Sequence, residues 1–147
     1  MTKLEGPIVL FMLVAAVTIV LAAQDKEHGG RPLIATLTGA AEVPGPGDAD
    51  GAGTFKIELN PGQNQICYEL AVSNIDTPTA AHIHVGAADK AGPVVVPLQT
   101  PVDGTAKDCV QLDRDKIKLI IQKPAEYYVN VHNAEFPDGA VRGQLSK

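Results

Sequence analysis

Apolar and polar residues alternate along most of this chain, in short runs separated by glycine, proline and asparagine. Successive side chains of an extended strand point to opposite faces, so such runs read as strands with one face in a core and the other toward water. Leu33 to Gly39 makes a first strand, broken by Pro44-Gly45-Pro46-Gly47-Asp48. From Gly53 to Leu59, Phe55, Ile57 and Leu59 oppose Thr54, Lys56 and Glu58. Asn60-Pro61-Gly62 closes that run, and Gln65 to Val72 follows with Ile66, Tyr68, Leu70 and Val72 inward, which predicts an antiparallel hairpin. Further strands are expected in the stretch Ala80 to Gly86, then at Val94 to Leu98, where Pro97 suits a sheet edge, and at Ala106 to Leu112. Tyr127 to Asn133 and Ala140 to Leu145 complete the set, with a turn at Phe136-Pro137-Asp138-Gly139.

Only Asp113 to Lys123 has helical spacing, with Ile117, Ile120 and Ile121 on one side, Asp113 as N-cap and Pro124 as the stop. Many short antiparallel strands with one short helix predict an all-β fold, an antiparallel Greek-key β-sandwich or flattened barrel. Tryptophan is absent and aromatics are 4% of the chain, so the core falls to Val, Ile, Leu and Ala.

The start of the chain departs from this pattern. Lys3 precedes an apolar run from Ile8 to Ala23, and polar residues Gln24 to His28 follow at once, as in a secretory signal peptide. Residues 1–23 are read as that leader, with cleavage after Ala22 or Ala23, and 24–32 as a flexible lead-in in which His28 has no assigned role. An uncleaved anchor is the other reading, although the run is shorter than the ~20 residues a spanning helix needs. Either way residues 33–147 form one domain in a secreted, periplasmic or cell-surface setting. There Cys67 and Cys109 are expected to pair, two buried thiols being the alternative.

The net charge of −5, without a basic run, argues against a nucleic-acid partner. Serine hydrolase chemistry finds no support, because the only serines are Ser73 and Ser146 and neither lies in a Gly-x-Ser-x-Gly setting. The candidate chemistry is in the histidines. With Ile83 and Val85 inward, His82 and His84 share the outer face, their Cα atoms roughly 6.5 to 7 Å apart. In the later strand, Val129 and Val131 inward put Tyr128, Asn130 and His132 on the outer side. Three imidazoles without a thiolate suit copper or zinc, with copper the tighter ion, and leave a coordination position open. Asn130 or Asn133 could orient an imidazole. The competing reading has His82 and His84 bonding to the backbone of the loop after Gly86, and His132 to the Phe136 turn.

At His82-Ile83-His84, Gly92-Pro93-Val94-Val95, Tyr127 to His132 and Phe136 to Leu145, with Glu42-Val43-Pro44 near the start, the sequence resembles the CHRD domain. That domain is named from chordin and also occurs in secreted bacterial proteins; the likeness implies a secreted all-β module and no settled activity. A more distant likeness is to the copper-zinc superoxide dismutases, where a His-x-His strand and a later histidine hold copper and a late arginine steers the anionic substrate. It implies His82, His84 and His132 as copper ligands and Arg142 as anion guide. A fourth histidine after Gly86 and a zinc subsite are both missing, so the comparison extends at most to copper alone. For Arg142 the reading preferred from the residues themselves is a salt bridge or a carbonyl clamp beside the C-terminal strand. The expectation is therefore a noncatalytic module binding an extracytoplasmic protein or ligand, with a copper-binding, dismutase-like domain as the alternative.

Overall fold

The computed structural model describes residues 30–147. The expected leader at 1–23, His28 and most of the 24–32 lead-in lie outside the described residues. The strands are β1 (Arg31–Thr38), β2 (Ala52–Asn60), β3 (Gln65–Ser73), β4 (Pro78–Val85), β5 (Val94–Leu98), β6 (Thr105–Gln111), β7 (Tyr127–Asn133) and β8 (Val141–Gln144), with helix α1 (Arg114–Gln122) between β6 and β7. The first strand thus starts two residues inside the expected lead-in. All pairings are antiparallel, in the order β5-β4-β7-β8-β1-β2-β3-β6. The edge position that Pro97 suggested for its strand is where β5 lies.

The ribbon folds over on itself into a nearly closed sandwich, one layer from β1, β2, β3 and β6 and the other from β5, β4, β7 and β8. The layers meet at the corner between β8 and β1, where pairing shrinks to Thr38 opposite Arg142 and an isolated bridge from Ile34 to Ser146. Gly143 makes that corner. A Cβ there would collide with the Thr36 carbonyl, so only glycine lets the two backbones pass so closely.

The core fills the space between the layers. Leu33, Leu37, Phe55, Ile57, Leu59, Ile66 and Leu70 face Ala81, Ile83, Val96, Val129, Val131 and Val141. Burial of each larger aliphatic contributes about 1.5 to 3 kcal/mol. Helix α1 closes one end with Ile117 and Ile120, and the Asp113 side chain accepts from the N–H groups of Asp115 (3.0 Å) and Lys116 (3.3 Å) as its N-cap. Cys67 and Cys109 stand directly opposite each other on β3 and β6 and form a disulfide. Among the described residues no helix is long and apolar enough to cross a membrane.

Candidate metal centre

The face of β4, β7 and β8 turned away from the core is a polar matrix set by strand register. One row across the sheet is His82, Asn130, Arg142 and Thr38; the next is His84, Tyr128 and Gln144; and His132 lies opposite Ala80 on the other side of Asn130. Asn130 therefore has histidine or arginine on both flanking strands, and Tyr128 and His132 two residues away on its own. Alternate residues on two adjacent strands, β4 and β7, are enough to gather all three histidines. Their ligand nitrogens lie within 4.8 Å of one another, and His82 Nδ1 is 3.2 Å from His132 Nε2.

Two of the rings are held by backbone carbonyls. His84 Nδ1–H donates to Gly92 O at 2.7 Å, and His132 Nδ1–H donates to Pro137 O at 2.9 Å. A ring that donates through Nδ1 carries its lone pair on Nε2, the arrangement that outer carbonyls impose on metal-binding imidazoles. His84 Nε2 is buried and has no partner among the described residues. Burial holds His84 below the usual histidine range, more than the Gly92 bond raises it, and burial plus the nearby rings of His132 and His84 do the same to His82. Neutral imidazoles are the form that binds a metal. For His84 and His132 the two readings open at the sequence level, carbonyl bonding and metal ligation, thus use different nitrogens of the same ring. His82 makes no bond to the loop backbone among the described residues, and its Nδ1 faces His132 Nε2.

This face is not open to solvent as strand alternation implied. The loop between β4 and β5 folds back over it. Gly86 N donates to Glu126 O, the Tyr128 hydroxyl accepts from Gly92 N at 3.1 Å, and Gln144 Nε2 donates to Gly86 O at 3.0 Å. Arg142, read as a salt bridge or carbonyl clamp with an anion guide as the alternative, is 1% exposed. Its Nη2 donates to Ala87 O, Lys90 O and Gln144 Oε1, and its guanidinium carbon sits 3.4 Å above the centre of the Tyr128 ring. His84 stacks on the same ring at 4.8 Å and 7°. With β4 and β8 on opposite sides of β7, Tyr128 is held between an imidazole and a cation.

Asn133 lies beside the site in a supporting role: its Oδ1 accepts from Phe136 N at 2.7 Å, shaping the turn that presents Pro137 O to His132. Asn130 interacts with His84 and with Glu42, a residue given no site role from sequence. Glu42 follows the 3-10 turn Gly39–Ala41 and is 4% exposed. Gly139, at φ +143, walls its carboxyl; a side chain there would collide with it, so the glycine makes the room that Glu42 occupies. The available signal was an acidic residue in a loop of small residues and prolines that also holds Asp48 and Asp50, and on pattern alone such a carboxylate reads as solvated.

The sequence matches the CHRD domain over residues 33–145, and the chain belongs to that family. No curated protein and no solved structure matches it.

Proposed function

We propose that this CHRD module is an extracytoplasmic copper-binding domain, with His82 Nδ1, His84 Nε2 and His132 Nε2 as ligands. The observation that carries the reading is the convergence of three imidazole nitrogens, two of them on rings whose other nitrogen is tied to a carbonyl. Nitrogens around one ion at about 2.0 Å stand roughly 3.3 to 4 Å apart. The His82–His132 pair, at 3.2 Å, stands at the lower edge of this range, and ring shifts of under about 1 Å bring the set, all within 4.8 Å, into it. All-imidazole ligation favours copper over zinc by the usual affinity order. The Cys67–Cys109 disulfide supports an oxidising compartment, as does the leader pattern at residues 1–23.

The burial of Arg142 favours binding over dismutation, since a guanidinium engaged by carbonyls beneath a loop offers solvent no cation to draw in an anion. The net charge of −5 points the same way. The noncatalytic class expected from sequence is kept, and its ligand becomes a metal ion.

Titration of the metal-free protein with copper, followed by metal analysis and the nitrogen hyperfine pattern of the cupric signal, tests this. One copper per chain with imidazole coordination is expected, and His84→Ala should weaken affinity at least 100-fold. Copper affinity unchanged in His84→Ala, with the variant folded, would sink the assignment.

A further inference from the structure

Of the five buried side-chain polar atoms without a partner among the described residues, four belong to Asn130 and to residues beside or interacting with it: Asn130 Oδ1, Glu42 Oε1, His84 Nε2 and Arg142 Nη1. Native interiors rarely leave such atoms unpaired, and a group of them marks a place where a ligand or a proton is exchanged. Asn130 is the middle member. Its side chain interacts with Glu42 and with His84, and it stands between His82 on β4 and Arg142 on β8. With Glu42 ionised and His84 bonded through Nδ1, Glu42 Oε1, Asn130 Oδ1 and His84 Nε2 are all acceptors, and none of them supplies a hydrogen to another.

We propose that Glu42 is the proton-exchanging partner of the three-histidine site, protonated when no metal is bound and ionised when copper binds, with the Asn130 amide carrying the coupling. The inference rests on the copper reading. In the metal-free protein the Glu42 O–H donates to Asn130 Oδ1 and the amide N–H donates to His84 Nε2, which satisfies the chain of groups. When Cu²⁺ takes the His84 lone pair the amide turns, its N–H donates to the Glu42 carboxylate, and the carboxyl proton leaves to solvent. His82 moves its proton from Nδ1 to Nε2 without net loss. Each copper bound through this step thus releases one proton, and the carboxylate offsets one of the two incoming charges.

The groups around Glu42 suit such exchange. Burial raises its carboxyl to about 7; Arg142 on β8, the Asn130 amide on β7 and the Val43 N–H oppose that, while Asp138 in the turn before β8 adds to it. Arg142 draws on the carboxylate without an ion pair, its Nη2 being engaged by the β4–β5 loop. The sign follows. A raised carboxyl is neutral below its midpoint, binding a cation favours the charged form, and copper affinity must therefore rise with pH through about 7 and level off above it. His82 and His84 are both held below the ordinary histidine value.

Calorimetric titration of the full chain with copper, in buffers of different ionisation heat, counts the protons released. At pH 7 the wild type should release about half a proton more per copper than Glu42→Gln, and its affinity should rise about tenfold more than the variant's between pH 6 and 8. Equal pH slopes in the two proteins, each binding one copper, would overturn the role of Glu42 and leave the metal site standing. If Glu42→Gln does not fold, the wild-type proton count alone decides: a step centred near pH 7 supports the coupling and a flat profile refutes it. Failure of the wild type to bind copper overturns both readings.

Discussion

The two layers of the sandwich carry the same apolar alternation on their inner faces and opposite chemistry on their outer ones. On β2, β3 and β6 the outward residues are Lys56, Glu58, Glu69 and Lys107, solvated charges flanking the Cys67–Cys109 bond. On β4, β7 and β8 they are His82, His84, Tyr128, Asn130, His132 and Arg142, and the β4–β5 loop is bonded down over them. Every residue of β7 except His132 is buried. A strand's outward face is open only if no loop covers it. The loop here is held by the side chains of that face, so the polar residues become a second interior. One layer contributes stability and a soluble surface, and the other contributes the site.

The comparison is broken most severely by cutting the disulfide. In the chain-entropy model, Cys67→Ser with Cys109→Ser removes up to about 4 kcal/mol of unfolding free energy, because the bridge closes a sequence separation of 42 residues. The denaturant midpoint should fall accordingly. If the layers divide the work as argued, copper stoichiometry of the folded variant stays at one, since no ligand or carbonyl of the site lies on β3 or β6. Loss of copper binding in a variant that remains folded would show that the layers are not separable.

That division was only partly legible in the sequence. The hairpin of β2 and β3, the helix with its Asp113 cap, and the span Tyr127 to Asn133 follow from alternation, spacing and punctuation, which are local properties. The three histidines on one side of β4 and β7 follow from phase, which needs no tertiary information once the strands are placed. Phase does not say what covers a face. For that reason Arg142, read first as a salt bridge or carbonyl clamp, keeps an anion-guide role open as the alternative until the β4–β5 loop is in place. Glu42 was less legible still. Its partners Asn130, Gly139 and Arg142 are distant in sequence, and a carboxylate in an irregular loop beside Asp48 and Asp50 carries no periodic signal.

Within the covered layer, Arg142→Met should cost about 3 kcal/mol, because it leaves the carbonyls of Ala87 and Lys90 without their charged donor inside the fold. Copper affinity should fall as well, by about tenfold, since the loop it clamps carries the Gly92 carbonyl that fixes His84. The pairing of the two losses is the informative result. A stability loss with copper affinity intact would mean that His84 is oriented by its stack on Tyr128 and not by the loop.

The smallest effect is expected on the open layer. Lys107 Nζ contacts Glu69 Oε1 at 2.5 Å, directly across β6 and β3, and each side chain is more than half exposed. The contact lowers the Glu69 carboxyl and raises the Lys107 amine, through the hydrogen bond first and the opposite charge second. Water and salt screen such a pair, and two long side chains lose rotamer freedom in holding it. Lys107→Ala should therefore leave the denaturant midpoint within experimental scatter at physiological ionic strength, and copper affinity unchanged. A clear fall in the midpoint that disappears in high salt would show that the charges of this face act as a network, and that the open layer is held by more than its core and its disulfide.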